Sequence, residues 1–92
     1  MSDPNDPDEL AAELYRELAA TESLPIERTA NRWIGEAQAV AREIRDADSE
    51  EVRREGARDV VRLLSEVDGT ENERADERVE RARELAERLA QA

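Results

Sequence analysis

Three carboxylates in one predicted helix are the residues of this 92-residue sequence whose spacing could support catalysis. Glu51, Glu55 and Asp59 follow one another at intervals of four within EEVRREGARDVVRLL, which puts them on one side of a helix. Carboxylate oxygens are the ligands that Mg²⁺ and Mn²⁺ prefer, so such a row could hold a divalent metal ion for hydrolysis. The competing interpretation is a solvated ladder in which nearby arginines pair with these carboxylates.

The same helix resembles the metal-binding helices of the all-α nucleotide pyrophosphatases over fewer than twenty residues. Helices of that family carry Glu-x-x-Glu pairs and an inward Glu-x-x-Asp, and the resemblance implies a carboxylate-metal hydrolase of nucleotides. Here the three carboxylates lie beside the apolar face, and the acidic residues of the preceding helix, Glu36 and Glu43, are seven apart. A divergent hydrolase with Glu51, Glu55 and Asp59 as metal ligands is therefore kept as the alternative function.

Other catalytic chemistries lack their usual residues. The sequence has no histidine and no cysteine, which removes the commonest general base, the usual transition-metal ligands and any disulfide. All 14 basic residues are arginines, so no lysine is present to activate a serine. The three glycines are scattered rather than gathered into a phosphate-binding loop. We therefore expect no catalytic residue, no cofactor and no bound metal in the leading interpretation, which is not an enzyme.

Nucleic-acid binding is the second alternative, and it depends on a row of arginines. Arg54, Arg58 and Arg62 recur every four residues, as a basic stripe on a helix would require. Acidic residues surround the row, and the net charge of −11 repels phosphate groups at long range. We therefore expect protein partners rather than nucleic acid.

Amphipathic helices must position all of these side chains. Apolar residues recur at steps of three and four through four segments, and no segment shows the alternation of a strand. Short connections favour antiparallel neighbours. The sequence thus predicts an all-α, antiparallel up-down helical bundle with three long helices and a shorter N-terminal one. The whole chain, 1–92, forms one domain, with residues 1–6 disordered and helices at about 7–21, 25–46, 50–67 and 71–91.

The second predicted helix carries a narrow apolar stripe that needs a partner surface. Its members are Ile26, Ala30, Trp33, Ala37, Val40, Ile44 and Ala47. Trp33 interrupts an alanine-rich seam, and tryptophan is enriched at interface hot spots. We expect Trp33, Ile26, Val40 and Tyr15 to form an interface, either with a protein partner or between two copies in a dimer. The leading interpretation is a small, non-catalytic helical interaction protein that self-associates.

Four further residues are predicted to shape the turns and the packing. Gly69 fits a left-handed cap at the end of the third helix. Thr70 with Glu73 has the spacing of a capping box for the fourth helix. Gly56 lies inside the third helix, where glycine costs roughly 1 kcal/mol relative to alanine, which predicts close approach of another backbone.

Charge is the strongest compositional signal. The chain has 25 acidic residues against 14 basic ones, has no lysine and contains fifteen alanines. These features resemble those of small acidic, uncharacterised helical proteins of halophilic archaea, which implies a fold adapted to high salt. Molar salt shortens the Debye length to about 3 Å and so screens this charge. No signal peptide and no apolar run of about 18 residues is present, so we expect a cytoplasmic protein that does not enter the membrane.

Overall fold

A computed structural model describes residues 6–92, and the regular structure in this part of the chain is entirely helical. This confirms the expected all-α fold class. No helix of the described residues is both long and apolar enough to cross a membrane. Of the segment expected to be disordered, residues 1–5 lie outside the described residues, and Asp6 caps the first helix. The elements are α1 Pro7–Ala19, followed by a 3₁₀ turn Ala20–Ser23, then α2 Arg28–Asp46, α3 Glu50–Ser65 and α4 Glu73–Gln91.

Two helices begin at short polar side chains of the types that are preferred at helix N-caps. Asp6 Oδ1 accepts a hydrogen bond of 2.9 Å from the backbone N–H of Asp8, with Pro7 at the first helical position. Ser49 Oγ accepts one of 3.3 Å from the backbone N–H of Val52. In both cases a short side chain satisfies a donor that the first helical turn leaves without an intrahelical partner.

The second helix begins at Arg28 rather than at residue 25, because Glu27 caps it. The two carboxylate oxygens of Glu27 accept hydrogen bonds of 2.9 Å from the backbone N–H groups of Thr29 and Ala30. Its own N–H donates to the carbonyl oxygen of Thr70 at 2.9 Å, which ties the start of α2 to the loop before α4. Glutamate is not among the preferred capping residues, so the sequence did not reveal this boundary.

The predicted capping box of α4 is wrong, because Asn72 and not Thr70 caps this helix. Asn72 Oδ1 accepts a hydrogen bond of 3.1 Å from the backbone N–H of Ala75, and Glu73 is simply the first helical residue. Thr70 is fully buried, and its hydroxyl lies 2.8 Å from both Asp76 Oδ1 and the carbonyl oxygen of Asn72. Asp76 therefore engages the threonine, and the cap moves two residues along the chain.

The loop between α3 and α4 contains two left-handed residues. Gly69 has a φ of 92°, which confirms the predicted left-handed conformation. It is not the immediate cap, however, since Glu66 ends α3 and Gly69 follows three residues later. Glu71 also has a positive φ, of 63°, although it is not a glycine. The longer loop delays the start of α4 to Glu73.

The core lies between all four helices. α1 contacts α2 and α4, and α3 contacts the same two helices, so each helix has two main neighbours. α1 packs within its own chain, a point that the sequence had left open. The buried apolar residues at the centre include Leu10, Leu14, Leu18, Ile34, Ile44, Val60, Leu64, Leu85 and Leu89.

The buried face of α2 is rotated relative to the predicted seam. Ile34 and Ala41 are buried, whereas Trp33 and Val40 are only half-buried. The rotation follows from the packing, because α2 must cover α1 as well as α3 and therefore buries a wider face than one seam. The buried residues of α2 are Ala30, Ile34, Ala37, Gln38, Ala41 and Ile44.

The prediction that another backbone approaches Gly56 closely is wrong, because the group packed against this glycine is a side chain. A Cβ atom at position 56 would lie 2.7 Å from Ile44 Cγ1 and 3.1 Å from Ile44 Cδ1. The glycine therefore makes room for a buried isoleucine of α2, and the two helices approach closely at this point.

Candidate interaction surface

The three carboxylates of the hydrolase alternative point away from the core. Glu51, Glu55 and Asp59 are all exposed, and Asp59 pairs with Arg62 at 3.3 Å. Within residues 6–92 there is no group of three or more acidic side chains that could hold a metal ion. The reason lies in α3, which buries its opposite side through Ala57, Val60 and Leu64. The structure therefore does not assemble the metal site that the alternative requires.

The three arginines of the predicted row on α3 do not share the same surroundings. Arg54 Nη1 donates to the backbone oxygen of Ala92 at 3.3 Å, which turns this side chain toward the end of α4. Arg62 pairs with Asp59, and Arg58 is exposed. These side chains do not make one free basic stripe of the kind that phosphate binding needs.

The predicted interface residues occupy different parts of the surface. Trp33, Val40, Ile26 and Tyr15 are all half-buried and pack against the core. Tyr15 belongs to the α1–α2 edge, where the Arg45 guanidinium lies 4.4 Å from its ring centroid. The helical periodicity puts Trp33 and Val40 on the opposite edge of α2, toward α3, while Ile26 precedes the helix. The four residues therefore do not form one patch.

Arginine and glutamine side chains surround the Tyr15 hydroxyl. Arg42 Nη2 donates to this oxygen at 3.4 Å. This hydrogen bond lowers the pKa of Tyr15 below its usual value, with further contributions from the nearby Gln38 and Arg45 side chains. The tyrosine ring is thus covered by its own chain, which leaves the Trp33 edge of α2 as the candidate surface.

A groove between α2 and α3 opens beside Val40. Its volume is about 190 Å³, and Val52 at its wall is 52% exposed. Val52 is the one large hydrophobic side chain of the described residues that is so exposed. Gly56 also lines the groove, and a Cβ at this position would lie 3.7 Å from Val40 Cγ1. The groove is lined by Val40, Glu43, Ile44, Val52, Glu55, Gly56 and Asp59.

Charge is distributed unevenly along this α2–α3 face. At the groove, Glu43 and Glu55 form no ion pair within 4.0 Å with any residue of the described range 6–92. Nearer the start of α2, the Arg32 side chain is 75% exposed, and its guanidinium lies 5.9 Å from the Trp33 ring centroid. The face therefore carries an acidic groove in one half and an arginine beside a tryptophan in the other.

Two of the clefts that are larger than the groove are lined mainly by charged side chains. One, of about 690 Å³, lies beside the ion pair of Arg78 and Glu17, whose atoms are 3.0 Å apart. The other, of about 420 Å³, lies beside Arg81 and Glu13, which are 3.7 Å apart. These arginines of α4 pair with α1, and polar surface predominates in the lining of both clefts.

The comparison with protein families gives a single assignment. The family described as Domain of unknown function (DUF8152) matches residues 10–92, so the chain belongs to this family. The match covers all of α2, α3 and α4 and most of α1. No curated protein and no solved structure matches the chain. The family description names no activity, which agrees with the expectation of an unknown function.

Proposed function

We propose that this member of the DUF8152 family is a small, non-catalytic helical protein that acts by binding protein, in the first place a second copy of itself. The observation that carries the proposal is the α2–α3 face, where Trp33 and Val40 stay half-buried and Val52 is exposed. α4 and α1 pack on other sides of α2 and α3, and they leave this face without a partner helix. Tryptophan at a partly open apolar face is typical of an interface anchor.

We propose further that the helices form the antiparallel up-down bundle expected from the sequence. Arg53 at the start of α3 pairs with Asp8 at the start of α1. Arg78 near the start of α4 pairs with Glu17 near the end of α1. Both pairs are those expected if α1 and α3 run one way and α4 runs the other. The three-residue connection between α2 and α3 supports the same polarity for α2.

Self-association is proposed to take place in concentrated salt, in the cytoplasm of a halophilic organism. Each copy carries a net charge of −11, so two copies repel one another in dilute buffer. At about 1 M salt the Debye length is about 3 Å, and this repulsion is largely screened. The resemblance in composition to acidic proteins of halophilic archaea supports the proposal, since concentrated salt reduces the repulsion between two such copies.

Sedimentation equilibrium in about 2 M KCl, where screening is strong, tests the proposal. At high micromolar concentration we expect twice the chain mass of 10.4 kDa. Trp33→Gln should shift the equilibrium toward the monomer. Tyr15→Gln is the matched control, because it also removes a half-buried aromatic ring from the core edge but leaves the α2–α3 face intact. Circular dichroism confirms that both variants fold. A wild-type mass of 10.4 kDa under these conditions would contradict self-association.

A further inference from the structure

We infer that the α2–α3 groove receives Arg32 and Trp33 of a second copy, so that two grooves are filled at once in a two-fold symmetric dimer. This inference rests on the self-association proposed above and names the residues that mediate it. The groove measures about 190 Å³, which is below the roughly 300 Å³ at which small-molecule pockets begin. A space of this size suits one anchoring side chain rather than a metabolite.

The surface of the groove matches an aromatic anchor. Val40 and Ile44 form its apolar base, and Val52 stands 52% exposed at its wall. An indole edge laid over this wall would remove Val52 from water, and tryptophan is the side chain that contributes most often to such hot spots. Trp33 is the only tryptophan of the chain, and part of its ring remains accessible at the other end of the same face.

The charges at the groove match the residue beside that tryptophan. Glu43 and Glu55 flank the apolar base, and both lack an ion pair within the described part of the chain. Arg32 is 75% exposed, and its contact with Glu36 is 3.8 Å long. An exposed pair of this kind contributes at most about 1 kcal/mol, so the guanidinium is available to another carboxylate. Two carboxylates of the second copy would bind it more favourably.

The positions along α2 allow both contacts to form together. Trp33 and Ile44 are eleven residues apart, which corresponds to about 16 Å along a helix axis. A two-fold axis that lies in the interface, at right angles to α2 and midway between these residues, therefore places the Trp33 end of each copy over the groove of the other. The interface is isologous, and each groove lacks its guanidinium and its aromatic ring until the second copy supplies them.

Charge reversal tests this arrangement with exposed side chains, so that the fold is not at risk. Arg32→Glu changes the net charge from −11 to −13, and Glu43→Arg with Glu55→Arg changes it from −11 to −7. We expect each variant alone to dissociate at least about tenfold more readily, since every substitution acts twice in a symmetric interface. Mixed in equal amounts, the two variants should form a heterodimer with nearly wild-type affinity, because one contact then joins the reversed charges of the two variants and the other contact is that of the wild type.

Two control variants separate this effect from net charge. Arg58→Glu makes the same change as Arg32→Glu at an exposed site on α3 that does not line the groove. Glu77→Arg with Glu84→Arg makes the same change as the groove variant on the exposed side of α4. The latter should tighten the dimer slightly by reducing repulsion, whereas the groove variant should weaken it. Dissociation constants are best measured in about 0.15 M salt, where the Debye length is still about 8 Å, and again in 2 M KCl.

The outcomes distinguish this inference from the proposed function. If the wild type forms a dimer and every charge-reversed variant has the same dissociation constant as the wild type, the inference is overturned and self-association still stands. Failure of the mixed variants to pair, with each single variant weakened, would also overturn the reciprocal contact. A wild-type chain that remains monomeric at every salt concentration would overturn both.

Discussion

At position 70, a buried hydroxyl links the loop before α4 to the first turn of that helix. Thr70 contacts Asp76 Oδ1 through its hydroxyl and also donates its backbone N–H to the same oxygen at 2.9 Å. Its hydroxyl also accepts a hydrogen bond of 3.2 Å from the backbone N–H of Asn72. A single side chain therefore holds together the loop, the cap of α4 and a carboxylate.

Replacement of Thr70 by valine keeps the shape of the side chain and the backbone hydrogen bond to Asp76, but it removes the hydrogen bonds of the hydroxyl. The N–H of Asn72 and the Asp76 carboxylate each lose a partner, so we expect a loss of about 1–3 kcal/mol in the free energy of unfolding. Thr70→Ser retains the hydroxyl and should lose less. Urea unfolding in concentrated KCl measures both variants. Equal stability of the valine variant and the wild type would show that the hydroxyl is not required.

Glu27 makes the stability of the α2 start depend on pH. The backbone N–H of Thr29, with that of Ala30, donates to the carboxylate and lowers the pKa of Glu27. A lowered pKa means that the folded state favours the charged form. The stabilisation is complete above the unfolded-state pKa, and it is lost as the pH falls through the lower folded-state pKa.

The gap in unfolding midpoint between the wild type and Glu27→Ala should therefore depend on pH. We expect the largest gap above about pH 6, and a gap that narrows below about pH 4, since free glutamate titrates near pH 4.3. Thermal unfolding by circular dichroism measures this difference. Glu77→Ala is the control, because it removes an exposed carboxylate that caps no helix. A gap that widens toward acid would mean that the charged carboxylate does not stabilise the cap.

Among the helices and loops, two glycines show how backbone conformation limits the choice of residue. Gly35 lies within α2, and a Cβ there would meet nothing within 4 Å. Gly69 has equally open surroundings but a φ of 92°. The two sites thus differ in backbone conformation and not in the space that is available to a methyl group.

Alanine should therefore have opposite effects at these two positions. Gly35→Ala should stabilise the protein by about 0.5–1 kcal/mol through helix propensity. Gly69→Ala should destabilise it by about 1 kcal/mol, because a left-handed backbone is unfavourable for residues with a Cβ. Both are measured by chemical unfolding under one set of conditions. Stabilisation at both positions would exclude the left-handed conformation of Gly69.

Gly56 sets the distance between α2 and α3. A methyl group at this position would lie 2.7 Å from Ile44 Cγ1, and Ile44 is only 1% exposed, so it has little room to move. Overpacking costs about 1–3 kcal/mol, against about 1 kcal/mol gained in helix propensity. We expect Gly56→Ala to be destabilising overall and the cost to shrink in combination with Ile44→Ala. Additive effects in this double-mutant cycle would show that the two residues do not meet.

At the scale of the whole molecule, net charge dominates over individual ion pairs. Several pairs, such as Arg32–Glu36 and Arg62–Asp59, are largely exposed. Such pairs contribute only about 0.2–1 kcal/mol each. Repulsion among the eleven uncompensated negative charges acts over the whole surface, so salt relieves more repulsion than it removes attraction.

The unfolding midpoint should therefore rise with salt between about 0.05 M and 2 M KCl, because screening becomes complete over this range. Differential scanning calorimetry at constant protein concentration measures the slope. Glu77→Gln with Glu84→Gln should give a shallower slope, because it removes two of the negative charges without touching the α2–α3 face. A midpoint that stays flat or falls would mean that the acidic composition does not adapt this fold to salt.

The local sequence is sufficient to predict which segments are helical and where some of them begin. Apolar residues at steps of three and four predict α1 to α4, because hydrophobic burial along a helix depends on a local period. Asp6 and Ser49 cap their helices through hydrogen bonds within one helical turn, and both are residue types that are preferred at this position. The left-handed Gly69 followed from residue type in the same way. These features depend on neighbours in the chain.

The packing of the four helices determines which side of each helix is buried and which surface remains open to a partner. Trp33 and Ile34 are adjacent in sequence but lie about 100° apart around the helix. The positions of α1 and α3 therefore determine which of the two side chains is buried. Thr70 lost its predicted capping role because Asp76 engages it across the loop. The α2–α3 groove is formed by residues of both helices, such as Val40 and Val52. The buried faces and the groove depend on residues distant in the chain, and the role of Thr70 depends on a hydrogen bond that helical periodicity does not specify.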